Sequence, residues 1–525
     1  MWSCKLSTGT VYAADKEPRT EHRVLVLVAF EIDALCACKI LQYLFQCDHV
    51  LYTIVPVTGK QDLERAFVEH SEGVQVCLLM KEDDLENIPE FRDVFLEDES
   101  DEDDLDNDSD DPETGQKKRR FDEAALIKRM EKRKWEENRK KILFEYTEFS
   151  GYGLSSSLLL YDMAWKMSKD TNDLLWLAII GVTEQYINQH VERDKYMESI
   201  AELQPHVSRL NHRPDDEESS ISIDCLKVMF DNELRLTMYR HWSLFESLCH
   251  SEYTTCKFKI WTMKGRKRLH EFLADMGLPL VQCKQKFTSM DVSYKESVKD
   301  LFKKFQDKYS INEQDLFLPS FHAQYGYKNR YCATDVIYAS EAVLQDVEKE
   351  YSDSDNFLHT LDLLNRSKTE CMEKGIEMAK IQLSALVKQV QSFLDANLVI
   401  SAGPFLYAFV QEGTPDVKFF AKPINLARLA RFTLEAYCCV SRNKKVKTLP
   451  FVLGAHHNSD MGTMLVIGIP PVLDKSLKNC FGKAFEQAAA TTNSRTLHDF
   501  FDSHIIELKS EDRSKFFDAL ISLLQ

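Results

Sequence analysis

Glu31 and Asp33, in the string AFEIDALCACKIL, come nearest to a reaction centre by type and spacing. They stand one residue apart, just past the end of a β-branched run that starts at Val24. Two carboxylates alternating there can bind Mg²⁺ or Mn²⁺ and support phosphoryl chemistry. The competing reading is that Asp33 caps the helix that follows. A two-metal site also needs Asp and His ligands from other strand ends. Of the residues downstream, His49, Asp62 and His70 form no DHH-like cluster at a strand end. The chain has no GxxxxGK[ST] phosphate loop, no GxSxG elbow and no HExxH helix. No catalytic residue, metal ligand or cofactor is therefore assigned.

Basic residues offer a different chemistry. Lys264, Arg266, Lys267 and Arg268 cluster beside Phe258 and Trp261. Such a patch can follow a single-stranded phosphate backbone while a ring stacks a base. The plainer reading, a helix N-terminal turn with solvated charges, is preferred. Lys117, Lys118, Arg119 and Arg120, followed by Lys132, Arg133 and Lys134, have the pattern of a nuclear import signal. They also suit a solvated helix braced by Glu136–Lys140 and Glu137–Lys141 pairs. Ser100 and Ser109 lie in acidic surroundings that an acidophilic kinase could read.

The elements that must position these residues read as α/β. Strands are expected at 24–29, 50–57 and 74–80, with helices at 33–46 and 61–70 between them. This βαβαβ order predicts a doubly wound parallel sheet, which places its chemistry at the C-terminal strand ends. The pattern stops at residues 97–113, where 12 acidic residues leave almost nothing to bury and predict a disordered loop. Residues 117–141 follow with 12 basic and 5 acidic residues. From Ser155 to Phe272 the chain reads mostly helical, with Ser155 to Ser157 capping a helix that runs through Trp165. A helix ends at Gly277, and a long helical pattern covers 361–398. Strands at 398–401, 406–410, 451–453 and 464–469, with helices at 482–490 and 512–524, make a second α/β domain.

A chain of 525 residues should hold about three domains. Its formal charge of −18 excludes a general coater of duplex DNA, so any nucleic-acid contact must be local. The longest apolar run, Leu174 to Val182, is too short to span a membrane and fits a buried helix. The 14 cysteines form no CxxC pair and read as reduced thiols, with Cys438 and Cys439 serving packing.

Several long strings also resemble one family. They include IDALCACKILQYLFQCDHV from Ile32, HVSRLNHR from His206, HWSLFESLCHSEYT from His241 and KRLHEFLADMGLPL from Lys267. NLVISAGPFLY from Asn397, EGTPDV from Glu412, FGKAFEQAA from Phe481 and IELKSEDRSKFFDALISLL from Ile506 continue the match in order. Together they are similar to the cell division control protein 45 family, from about Arg23 to the C-terminus. That family resembles RecJ-type phosphoesterases of the DHH superfamily. The resemblance implies a DHH/RecJ-like first domain at 23–95, an acidic loop and basic run at 96–120 and a charged helix at 121–150. It further implies a mainly helical middle at 151–395 and a C-terminal α/β domain at 396–525; residues 1–22 are atypical.

The resemblance implies a non-enzyme, a subunit of the eukaryotic replicative helicase. Its implied partners are the minichromosome-maintenance hexamer, the GINS complex, other initiation factors, DNA polymerases and single-stranded DNA. The implied place is the nucleus, with no membrane contact. Glu31 and Asp33 become degenerate phosphoesterase positions, because the family carries an Asp-x-Asp pair there. One departure is larger. Met80 runs directly into KEDDLENIPEFRDVF. A further α/β stretch with a DTHRP-like string, the counterpart of the DHH motif, is missing between them. That removes roughly 30 residues or more, at least one βαβ unit, and points to alternative splicing or a gene-prediction error. The rival expectations are a Mn²⁺-dependent single-strand exonuclease and a truncated isoform unable to complete the helicase.

Overall fold

The computed structural model describes residues 23–70, 74–76, 134–135, 152–211, 226–325, 329–347, 352–411, 413, 416–458, 461–473 and 479–524. The chain divides into two units, residues 1–81 with 151–525, and residues 82–150. In the second unit only Lys134 and Trp135 are described; both are helical, and Lys134 is exposed. The remaining import-type residues, both candidate phosphorylation serines and the expected acidic loop lie outside the described residues.

The first unit opens as its periodicity predicts. β1 (Arg23–Ala29), α1 (Ile32–Cys47), β2 (Leu51–Val57), α2 (Lys60–His70) and β3 (Val74–Val76) form a parallel sheet in the order β2-β1-β3. β3 is described only as far as Val76; the expected continuation to Met80 lies outside the described residues. The protein is thus α/β, with a doubly wound parallel start.

α3 (Ser156–Lys166) and α4 (Asn172–Ile187) pack on α1. Leu174 to Glu184 are all buried, so α4 has no solvent face over that stretch, as the apolar run predicts. Thr171 caps it, accepting from the Leu174 N–H at 3.3 Å. α5 (Arg193–Asn211) follows.

The next element is a strand, which the mostly helical reading of this stretch did not place. β4 (Leu226–Leu234) is succeeded by α6 (Leu244–His250), α7 (Glu252–Phe258), α8 (Met263–Asp275), α9 (Leu280–Lys284), α10 (Val292–Phe305) and α11 (Glu313–Leu316). Then β5 (Phe317–Tyr325) returns antiparallel to β4, pairing Leu226 with Tyr325 and Leu234 with Phe317. β6 (Asn329–Cys332) completes a three-stranded sheet. β4 contains Leu, Met and Glu, good helix formers, and its partner lies about 90 residues on; pairing across the sheet overrides local preference. The helices inserted between β4 and β5 have their own core, including Phe258, Phe272, Phe302 and Tyr309.

α12 (Ala333–Leu344), α13 (Asp353–Leu363) and α14 (Thr369–Asp395) come next. The expected single helical pattern over 361–398 is therefore broken. Asn365 bends the chain by accepting from the Ser367 N–H and hydroxyl, at 3.3 and 3.0 Å, which competes with helix continuation.

The last part is a six-stranded mixed sheet. β7 (Ile400–Ser401), β8 (Leu406–Phe409), α15 (Pro423–Val440), β9 (Phe451–Asn458), β10 (Thr463–Ile469), α16 (Phe481–Thr492), β11 (Thr496–Leu497), β12 (Ile505–Lys509) and α17 (Arg513–Leu524) supply it. The strand order is β11-β12-β10-β9-β8-β7, with only β8–β9 parallel. α16 and α17 pack on one face around Phe481, Phe485 and Phe516. One continuous core joins α1, α3, α4, α12, α14 and α15 to β8–β10, so the first and last sheets share a single interior. No helix among the described residues is long and apolar enough to cross a membrane.

Candidate functional site

Glu31 and Asp33 stand where a parallel sheet places its chemistry, at the C-terminal end of β1. Their environments differ. Asp33 is 4% exposed. It does not cap its own helix. It lies over the start of α3, where it accepts from the Ser155 hydroxyl at 2.6 Å and the Ser156 and Ser157 N–H groups at 2.6 and 3.0 Å. Ser155 is the true N-cap of α3, accepting from the Leu158 N–H at 3.3 Å. A carboxylate at a helix N-terminus also meets the favourable end of the helix dipole. Gly181 of α4 backs this contact. A Cβ added there would stand 2.1 Å from Ser157 Oγ and 2.2 Å from Asp33 Oδ1, so only glycine allows the approach.

Glu31 precedes α1 but its side chain caps nothing. Burial, then the nearby Asp502 and Asp33 carboxylates, push its pKa up to about 8. It is therefore mostly protonated at neutral pH.

Asp502, whose charge reaches Glu31, comes from a loop the sequence reading did not single out, His498 to His504 between β11 and β12. Asp499 takes the N-terminus of α2. The Lys60 N–H donates to its carbonyl at 2.8 Å and the Gln61 N–H to its carboxylate at 2.7 Å. Gly59 permits this, because a Cβ would meet the Asp499 carboxyl carbon at 2.6 Å. An oxyanion would otherwise suit such a helix start. Asp502 accepts a short hydrogen bond from the Tyr152 hydroxyl. Burial and Asp502 raise the Tyr152 phenol well above its usual range. The Tyr152 ring stacks on His190 at 3.9 Å, nearly parallel. Burial lowers the pKa of His190 to about 4. Tyr152 lies in the irregular segment that leads into α3. The signal that marks the loop in the sequence is HDFFDSH, two acids among aromatics and histidines just before a strand.

Behind this loop lies a buried polar hub. Arg428 of α15 pairs with Glu341 of α12 at 2.6 Å and reaches Asn188 Oδ1 at 3.2 Å. Asn188 donates to Glu184 and Glu341 at 2.6 and 2.8 Å, while Arg431 donates to its carbonyl. Burial first, then the Glu31 and Glu341 charges, raise the Glu184 carboxyl far above the usual range.

Of the other downstream candidates, Asp62 accepts a short bond from the Thr58 hydroxyl and pairs with Arg65 at 3.2 Å. His49 is exposed in the turn after α1. Neither joins Glu31 and Asp33. A second cluster with ligand-type atoms within 4.8 Å of one another is Asp231, Glu233 and His322, on β4 and β5. Cations already fill it. Lys299 pairs with Asp231 and Glu233 at 2.7 and 2.8 Å, Arg240 with Glu233 at 2.6 Å and Arg330 with Asp231 at 3.6 Å. Burial alone would raise the Glu233 carboxyl, but His322, Arg240 and Lys299 outweigh it and hold it well below the carboxylate range.

The basic cluster is where the sequence places it, on the first turns of α8, with Lys264, Arg266, Lys267 and Arg268 exposed. Its aromatic half is corrected. Phe258 is 2% exposed and packs on Phe272 and Tyr309, while Trp261 is half-buried with its indole N–H turned inward. Arg266 and Arg268 donate to the Ile260 and Tyr309 carbonyls at 3.0 and 3.4 Å. Thr262 caps the helix, as the plainer reading expects.

Comparison with known proteins agrees with the resemblance. A cell division control protein 45 homolog of Homo sapiens is 43% identical over 551 residues, covering 96% of this chain and 97% of its own. The homolog of Schizosaccharomyces pombe is 27% identical, covering 95% of each. The crystal structure of CDC45 from Entamoeba histolytica superposes with a TM-score of 0.68, covering 96% of this chain and 95% of that one at 23% identity, which shows a shared fold. An alignment of 551 positions to a chain of 525 requires residues in the relative that this chain lacks. The CDC45 family profile matches in two pieces, residues 24–82 and 80–523, which meet where the string after Met80 breaks from the family. Between them these matches span almost the whole chain, and it belongs to the CDC45 family.

Proposed function

We propose that this chain is a non-catalytic subunit of the eukaryotic replicative DNA helicase. It acts in the nucleus with the minichromosome-maintenance hexamer and the GINS complex, in initiation of DNA replication and fork progression. The observation that carries the non-catalytic part is the use of the strand-end groups. Asp33 is committed to three donors at the start of α3, and Asp499 takes the start of α2. A phosphoesterase needs such groups open to metal and substrate. Glu31 and Asp33 are thus relics of a reaction centre, with Asp33 turned into a fastening between α1 and α3.

On this reading the middle region, 151–395, carries the protein contacts and the C-terminal domain, 396–525, closes the first domain. Lys264, Arg266, Lys267 and Arg268 contact single-stranded DNA through phosphates rather than by stacking. Lys117 to Arg120 and Lys132 to Lys134 direct import, and Ser100 and Ser109 are phosphorylation sites. Other initiation factors and DNA polymerases are further partners.

A second reading is favoured by the family match in two pieces: a shortened isoform that keeps some contacts and cannot complete the helicase. One experiment separates the two. The purified chain is mixed with the hexamer and GINS, and co-elution and forked-DNA unwinding are measured beside a chain with the missing segment restored. Unwinding by both supports the full role; unwinding by the restored chain alone supports the isoform. Mn²⁺-dependent digestion of single-stranded DNA that Asp33→Ala abolishes would overturn the non-catalytic reading.

A further inference from the structure

The helices inserted between β4 and β5, residues 235–316, join the body at a single crossing. Leu234 pairs with Phe317 there, and the Arg235 N–H donates to the Leu316 carbonyl at 2.7 Å. Entry and exit are thus adjacent. The module also has its own core, in which Phe272, Phe302 and Cys283 are fully buried. A unit with its own core and one paired crossing can turn as a body about that crossing. The chain just past the crossing is strained. Met238 is buried with φ 55°, a left-handed conformation that a side chain of its size rarely adopts.

Away from the crossing the module lies against the body along a seam. α6 packs on α14 and α7 on α15. Met238 and Cys256 belong to the body's core rather than the module's own, and the half-buried Trp242 and Trp261 pack against it. The seam closes imperfectly on its polar groups. Arg240 Nε, His241 Nε2, Glu252 Oε1 and Trp261 Nε1 are buried with no hydrogen-bond partner among the described residues, although Asp335 of α12 comes within 3.5 Å of His241. Within the module only Gln306 adds another such atom among the described residues. Opening the seam hydrates these groups, which lowers the cost of an open state.

One carboxylate gathers the bonds that hold the module closed. Glu233 of β4 accepts from the Tyr239 hydroxyl at 2.7 Å, Arg240 at 2.6 Å and Lys299 at 2.8 Å. Tyr239 and Arg240 are only six and seven residues from Glu233 and follow the turn out of β4. Lys299 comes from α10, 66 residues on, and also pairs with Asp231 at 2.7 Å. It ties the module's far helix to the sheet.

We propose that the inserted module is a hinged arm, turning about the Leu234–Phe317 crossing, with Lys299 as the latch that holds it on β4. Opening leaves both cores intact and exposes the seam.

Three buried cysteines supply the test. Cys256 lies in the seam at 5% exposure, Cys283 in the module's core and Cys36 in the body's, both at 0%. The full chain is treated with iodoacetamide and each modification is followed by peptide mass spectrometry. Cys256 should be labelled at least about tenfold faster than Cys283 and Cys36, because the seam opens while both cores stay closed. Lys299→Met should speed Cys256 about tenfold further and leave the other two unchanged, whereas Lys299→Arg, which keeps the ion pairs, should retain the native rate. A Cys256 rate no greater than that of Cys283 in the native chain overturns the proposal. So does a Lys299→Met chain in which Cys256 is not accelerated, or in which Cys283 is accelerated with it, since the module then unfolds rather than turns. If Lys299→Met does not fold, the comparison of the three cysteines in the native chain decides it alone.

Discussion

Asp33 holds three donors with one carboxylate, so its loss leaves them unpaired inside the protein. Asp33→Ala should destabilise the chain by about 3 kcal/mol in a denaturant titration. Gly181→Ala presses a methyl group into the same contact and should cost on the order of 3 kcal/mol. Glu31 makes a pH prediction whose sign is fixed by its raised pKa. The folded state holds its proton between the ordinary 4.5 and about 8, so this contribution is complete below pH 4.5 and lost as pH rises through 8. Glu31→Gln should therefore flatten the fall in melting temperature between about pH 5 and 8. Arg428→Ala, which strands the buried Glu341 carboxylate, should cost about 3–5 kcal/mol by the same titration.

At the scale of elements, the 498–504 loop acts as the cap that α2 does not supply for itself. Asp499→Ala should weaken the start of α2 by about 1 kcal/mol and speed amide exchange at Gln61, leaving α17 unaltered. The elements legible in the sequence were those that carry their own signals. α1 and α2 alternate with β-branched runs, α4 holds the apolar run from Leu174 to Val182 and α8 ends at Gly277. What the sequence hid depends on distant partners. β4 is a strand because β5 pairs with it, and Asp33 holds the start of α3 rather than that of α1 because folding brings Ser155 to it. For the same reason Glu31 and Asp33 were visible as a pair, while Asp502, whose charge reaches Glu31, and Asp499, which takes the start of α2, were not. The basic cluster was found from its charges, but the burial of Phe258 follows from a core built by residues up to Tyr309.

The molecule as a whole carries buried histidines as well as buried acids. Burial lowers the pKa of His190 and of His241 to about 4, and lowers that of His322. Such groups stabilise the fold above their unfolded value near 6.5, and that contribution is lost as pH falls towards 4. Stability should therefore decline between pH 6.5 and 4, and replacing His190 with Gln should remove part of that slope. The Gln61–Asp499 contact bridges 438 positions of chain. During vectorial synthesis, at about 5–20 residues per second, α2 leaves the ribosome between about 20 and 90 s before its partner exists. For that interval the opening sheet must survive without its last fastening, as a nascent chain that chaperones can recognise. Maturation of this protein is thus tied to completion of translation.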